Sequence, residues 1–195
     1  MIDEKAIMLL VRDGQVDKLA LLFERYKVKL YNFFRRLGNT EAHSEDLVQE
    51  TFMRVLAYRT SFNGDSQFNT WLYSIARNTS VDFHRKHKHA DKHDEFDEEH
   101  INTSANTYSK SMTDDYCANE QQALFDKALS AIEPQHREII VLSCFAQLRY
   151  EQIAELVDCN LNTLKSRMTL AMSKLKQTYQ QLSGDTSDDA CKENV

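Results

Sequence analysis

The sequence predicts an all-α protein of two helical domains joined by a flexible acidic linker, and three observations carry that prediction. The 195 residues include four glycines and one proline, Pro134, too few turn formers for a sheet or barrel. Apolar residues recur at three- and four-residue steps in two long blocks, the pattern of helices with one buried face. Between the blocks, residues 91–118 lose the period and carry eight acids (Asp91, Asp94, Glu95, Asp97, Glu98, Glu99, Asp114, Asp115) against Lys92 and Lys110. Such a stretch cannot offset its ordering entropy by burial.

The first domain is expected over 5–90. Leu19, Leu22, Phe23, Tyr26, Leu30, Phe33, Phe34 and Leu37 give one apolar face to a helix over 5–37. After Gly38-Asn39-Thr40, a second helix is expected over about 44–59, with Ser44 as N-cap and Leu47, Val48, Phe52, Val55 and Leu56 inward. Phe62-Asn63-Gly64-Asp65-Ser66 reads as a loop. Phe68, Trp71, Leu72, Ile75 and Ala76 then start a helix that runs into the basic stretch Phe83-His84-Arg85-Lys86. The second domain is expected over 119–182, with Ala123, Leu124, Leu129 and Ile132 in one helix. A new helix follows Pro134, a favoured first-turn residue, with Ile139, Ile140, Leu142 and Phe145 inward. An acidic, disordered tail is expected over 183–195.

Charge and composition narrow the function. The net charge of −6 is concentrated in the linker and tail, whereas no acid occurs between Cys159 and Gly184, where Lys165, Arg167, Lys174 and Lys176 fall. Between Arg77 and Lys88, four bases face only Asp82. Local basic patches matter more for phosphate binding than the total. No stretch approaches the ~18 apolar residues of a membrane span, and Met1-Ile2-Asp3-Glu4-Lys5 lacks a secretory start. A cytoplasmic chain without membrane insertion is expected. Cys117, Cys144, Cys159 and Cys191 show no Cys-x-x-Cys pair, which fits reduced thiols. No nucleophile–base set or phosphate-cradling glycine loop is present, so no enzyme, catalytic residue or cofactor is expected.

A helix-turn-helix is expected at about 148–177. Residues 150–157 (Tyr150-Glu151-Gln152-Ile153-Ala154-Glu155-Leu156-Val157) read as its first helix, with Arg149 just before, and Asp158-Cys159-Asn160-Leu161 as its turn. Small Ala154 lets the second helix approach. That helix would present Asn162, Thr163, Lys165, Ser166, Arg167 and Thr169 to a major groove. A plain helical hairpin with a solvated basic face has the same pattern, so the motif favours DNA binding without requiring it.

The first block makes the reading specific. His43-Ser44-Glu45-Asp46-Leu47-Val48-Gln49-Glu50-Thr51-Phe52, then Phe62-Asn63-Gly64-Asp65-Ser66-Gln67-Phe68-Asn69-Thr70-Trp71-Leu72-Tyr73-Ser74-Ile75-Ala76-Arg77-Asn78, resembles the sigma-2 domain of sigma-70-type factors. The likeness is to the extracytoplasmic-function (ECF) group, and the C-terminal block resembles their sigma-4 domain. The resemblance covers about residues 5–182. It implies that Asp46, Gln49 and Glu50, flanked by Leu47, dock on the β′ clamp helices of core RNA polymerase, with a further contact from sigma-4 to the β flap. It implies that Asn63, Asp65, Ser66 and Phe68 capture a flipped base of the −10 element, although Phe68 and Trp71 fit a core equally well. It implies that Arg77, Asn78, Arg85 and Lys86 follow promoter DNA, and that Arg149, Tyr150 and the second helix of the motif read the −35 element. An anti-sigma partner and a connector threading the polymerase cleft are implied too.

The sequence departs from the family where arginines usually continue the second helix of the motif and Leu170 and Met172 stand instead. Asp158, Asn160 and Asn162 occupy a turn where glycine or proline is common; asparagine tolerates left-handed backbone. Two other readings compete. A stand-alone regulator would use the helix-turn-helix but has no use for Asp46, Gln49 and Glu50. Metal binding is suggested by His84, His87, His89, His93 and His100, with His89 and His93 one helical turn apart. A polar linker explains those histidines without a metal, and no metal site is expected.

Overall fold

A computed structural model describes the backbone of residues 3–90 and 115–189, and side-chain surroundings within 3–87 and 121–184. The expected linker lies for the most part outside these residues. Among the described residues there is no strand, and eight α-helices form two bundles: α1 Glu4–Arg12, α2 Leu19–Arg36, α3 Glu41–Ala57 and α4 Phe68–Ala90, then α5 Asp115–Ala131, α6 Pro134–Cys144, α7 Tyr150–Leu156 and α8 Leu161–Asp189. None is long and apolar enough to cross a membrane.

The expected continuous helix over 5–37 is instead two helices. Gly14 adopts φ +108°, a conformation glycine takes without penalty, and a short turn over Val16–Lys18 restarts the chain. The apolar period ran through this break because α1 and α2 face one core. Ile7, Met8 and Val11 of α1 are buried beside Leu22, Tyr26 and Leu30 of α2. The Tyr26 hydroxyl donates to the Glu4 carboxylate at 2.7 Å. Burial first, and that carboxylate second, raise the phenol above its ordinary pKa.

α3 starts three residues earlier than expected. Its cap is Thr40, whose Oγ1 accepts from the His43 backbone N–H at 3.2 Å. Ser44 is buried and its hydroxyl donates to the Thr40 carbonyl at 2.7 Å. Thr40→Ala should lower stability by about 1 kcal/mol, read as a shift of the urea midpoint with unchanged slope. Around these helices runs an aromatic core. Phe33 meets Tyr73 at 5.0 Å between ring centroids, and Tyr26 meets Phe68 at 5.4 Å, both edge to face.

The second bundle uses Pro134 in the first turn of α6, as its fixed φ favours. Buried Ile139, Ile140, Val141 and Leu142 pack with Ile153 and Ala154 of α7 and with Leu164, Met168, Ala171 and Leu175 of α8. The α7–α8 turn places Asp158, rather than an asparagine, in the left-handed region at φ 52°. Asn160 caps α8 instead: its Oδ1 accepts from the Thr163 N–H at 2.7 Å. α8 continues to Asp189, so residues 183–189 of the expected disordered tail are helical.

Candidate polymerase and DNA surfaces

Asp46, Gln49 and Glu50 share one face of α3, being three and four residues apart, and all are exposed. Together with Met53, 64% exposed, they line one wall of an open groove of about 400 Å³. The other wall is α4, with Thr79, Asp82, Phe83 and Lys86. Leu47 is only 2% exposed. It therefore belongs to the core as the floor of the groove and cannot serve as a free surface contact, a correction to the resemblance-based expectation. Its place in the 47, 48, 52, 55 apolar set already pointed there.

Charges cross the groove in a chain. Arg54 bonds Glu50 at 2.8 Å and Asp82 at 2.8 Å, and Asp82 accepts from Arg85 at 3.0 Å. The Arg54 bond, foremost, holds the Asp82 carboxyl below its usual range. Met53 and Arg54 were not singled out by the sequence. An exposed methionine inside an amphipathic helix was the one available signal.

The loop before α4 is tied by its own polar groups. Asn63 Nδ2 donates to the Asp65 carboxylate, and the Asp65 N–H donates back to Asn63 Oδ1 at 3.1 Å. Gly64 at φ +83° permits the turn. Asn63, Asp65 and Ser66 are exposed, as a base-capturing loop requires. Phe68 is not available: it is 2% exposed and set between Tyr26 and Phe62. Trp71, 5.2 Å from Phe62, is half-buried rather than fully buried beside this loop.

Along α4, Asn78, Arg85 and Lys86 are exposed and recur at helical spacing on one side. Crowding by neighbouring atoms, then the nearby His87 and His43, hold His84 below the usual histidine pKa. Arg77 is otherwise engaged. Its Nε donates to Glu138 of α6 at 2.8 Å, with both side chains 23% exposed. Two further bonds join the bundles here: Asn69 Nδ2 to the Ala146 carbonyl at 2.7 Å, and Gln152 Nε2 to Thr70 Oγ1 at 2.7 Å.

In the helix-turn-helix, Arg149 is the exposed N-cap of α7, and its backbone N–H donates to Gln152 Oε1 at 2.8 Å. Tyr150 is half-buried. Asn162, Lys165, Ser166 and Thr169 form one exposed face of α8, with half-buried Thr163 and exposed Arg167 flanking it. Leu170, 50% exposed, stands one turn beyond Ser166, and Met172, 46% exposed, two turns beyond Lys165. Both therefore extend the face that would meet DNA, at places where a cation could reach phosphate. Leu170→Arg with Met172→Arg should tighten binding to duplex DNA carrying the −35 element. The slope of log affinity against log salt should steepen by about one unit per added contact, checked by anisotropy across a salt series. Equal slopes for native and variant chains would refute this.

Among the described residues no three histidine, cysteine, aspartate or glutamate side chains are grouped to hold a metal ion. His93 and His100, and the surroundings of the His89 side chain, lie outside the described residues.

Comparison with known proteins assigns both bundles to one family. Residues 22–90 match Sigma-70 region 2, and residues 122–175 match Sigma-70, region 4. The chain is 30% identical over 140 residues to the ECF RNA polymerase sigma factor EcfG of Rhodopseudomonas palustris, covering 71% of each. It is 28% identical over 163 residues to the RNA polymerase sigma factor YlaC of Bacillus subtilis, covering 83% of this chain and 91% of that one. In three dimensions it is similar to the sigma factor RpoE of Bartonella quintana, solved in complex with the anti-sigma factor NepR. The TM-score is 0.67 at 27% identity, over 84% of this chain and 95% of the other. The chain belongs to the extracytoplasmic-function group of the sigma-70 family, alternative sigma factors that direct RNA polymerase to promoters.

Proposed function

We propose that this chain is a two-part promoter reader whose α3 face docks on core RNA polymerase and which performs no bond chemistry of its own. The observation that carries the proposal is the groove between α3 and α4. Asp46, Gln49 and Glu50 share one exposed face beside Met53, with Glu50 held by Arg54, and an exposed methionine ringed by polar groups is a favoured protein contact. Among the described residues neither Asp46 nor Gln49 packs into the core, both being exposed. A stand-alone regulator would not need this face.

Within the proposal, Asn63, Asp65 and Ser66 contact the melted −10 element, with Trp71 in place of Phe68 as the stacking ring. Asn78, Arg85 and Lys86 follow the adjoining DNA, joined by Arg77 once it is released from Glu138. Arg149, Tyr150, Asn162, Thr163, Lys165, Ser166, Arg167 and Thr169 form the −35 side. An anti-sigma protein is the proposed regulator, on the analogy of RpoE with NepR.

Sizing chromatography of the chain with purified core polymerase tests the docking. A stoichiometric complex is expected, lost when Gln49→Ala is combined with Asp46→Ala. Elution of the native chain wholly apart from core would overturn the proposal.

A further inference from the structure

Asn63, Asp65 and Ser66 offer a nucleobase polar partners, but the loop over 62–67 contains no cation, and the Asp65 carboxylate would repel the phosphates on either side of that base. On α4 the exposed cations assigned to DNA begin at Arg85, roughly 25 Å along the helix from Phe68. Arg77 is bonded to Glu138. A strand held at the loop therefore needs its phosphates met from another element.

Two cations outside the surfaces described so far stand against this loop. α1 packs on the turn Arg59–Ser61 that leads into it. The Lys5 stem lies across the loop apex: a Cβ on Gly64 would stand 3.2 Å from Lys5 Cε and 3.4 Å from Leu9 Cδ2. The ammonium, one bond beyond Cε on an exposed residue, is thereby tethered at the loop. Among the described residues it enters no ion pair, whereas Lys18, Lys27 and Lys174 each stand within 3.0 Å of a carboxylate. Arg59, half-buried in the turn, spends Nη1 on the Leu56 carbonyl at 3.0 Å, and its Nε–H has no partner among the described residues. A guanidinium committed at one nitrogen keeps donors for an anion. The region 2 match begins at residue 22, so α1 and Lys5 lie outside the segment that the family model covers.

We propose that α1 extends the single-strand path: the Lys5 ammonium, backed by Arg59, takes a backbone phosphate next to the base held by Asn63, Asp65 and Ser66. DNA that follows Arg85, Lys86 and Asn78 along α4 reaches the loop at the start of that helix, and α1, packed on the loop, is where the strand continues. The ammonium acts there as a point charge that offsets Asp65 and reads no sequence. The proposal rests on the reading of the loop as a single-strand contact. A Lys5 that served only to cover Gly64 would act through its stem, which methionine reproduces without the charge.

The experiment assembles the full chain with core polymerase. Anisotropy reads affinity for a labelled single-stranded DNA of random sequence across a salt series, against core alone. Lys5→Met should weaken binding about threefold at low salt and make the slope of log affinity against log salt shallower by about 0.7, the value of one phosphate contact on a single strand. Lys5→Arg should keep the native slope. Lys127→Met, which removes an exposed cation of α5 outside both DNA surfaces, should change neither quantity. Asn63→Ala removes an uncharged loop contact and should weaken binding at the native slope. Native affinity in Asn63→Ala, or a complex that binds no better than core alone, would overturn the loop reading and the α1 extension with it. A weakened Asn63→Ala beside a native slope in Lys5→Met would overturn the extension alone. So would equal changes from Lys5→Met and Lys127→Met, or a Lys5→Arg slope as shallow as that of Lys5→Met.

Discussion

Substituting lysine for both Asp46 and Glu50 should abolish promoter-dependent transcription while leaving the protein folded. Both side chains are exposed on the α3 wall of the groove. The only bond of Glu50 seen among the described residues runs to Arg54, which keeps Asp82 as a second partner. Surface changes of this kind normally alter stability by no more than about 0.5 kcal/mol. At an interface, reversing two charges puts like charges against a surface built to receive acids, which costs several kcal/mol. The expected loss in core-polymerase affinity is at least 100-fold, about 2.7 kcal/mol. Competition binding against the native chain measures the affinity, and a urea titration measures stability. Retained affinity with unchanged stability would remove α3 from the docking surface.

The second large effect is on stability and centres on Arg137. Its guanidinium donates to the carbonyls of Ser130 and Ile132, just where α5 ends, and to Leu37 across the bundle contact. The last carbonyls of a helix have no partner inside the helix, and this one side chain serves that of Ser130 and that of Ile132 just beyond the helix end. Burial depresses the Arg137 pKa, yet a guanidinium remains charged at any working pH. The closeness is tight: a Cβ on Gly38 would fall on Arg137 Nη1. Arg137→Ala leaves carbonyls unpaired and a void beside them, so a loss of about 3 kcal/mol is expected. Arg137→Lys should not rescue it, because an ammonium cannot reproduce the planar fork. Urea unfolding of the full chain checks this, and a loss below about 1 kcal/mol would count against it.

Much of this architecture was legible because it rests on short-range rules. The spacing of Leu22, Tyr26, Leu30, Phe33 and Phe34 states which face of α2 is buried, and Pro134 states where α6 begins. What the sequence concealed were matters of termination and of contact between distant parts. Gly14 broke a helix whose apolar period continued unbroken on both sides, since α1 and α2 share one core. Thr40 and Ser44 are both competent caps, and only the path of the backbone selected Thr40. Phe68 carried an aromatic signal that suits base stacking and core packing alike, and its burial between Tyr26 and Phe62 settled it for the core. Arg77 looked like a free cation because Glu138, 61 residues away, has no local signature of partnership.

The surfaces themselves divide in the same way. Asn162, Lys165, Ser166 and Thr169 could be read as one face from spacing alone, and the structure leaves that face open. Leu170 and Met172 extend it with apolar groups, so the −35 half should contribute less phosphate affinity than arginines there would give.

Run-off transcription on genomic fragments with purified core polymerase tests the central claim most directly. The account predicts discrete products that require the chain and disappear with Asp46→Lys/Glu50→Lys. No chain-dependent product from any fragment, under conditions where another sigma factor activates the same core, would contradict it.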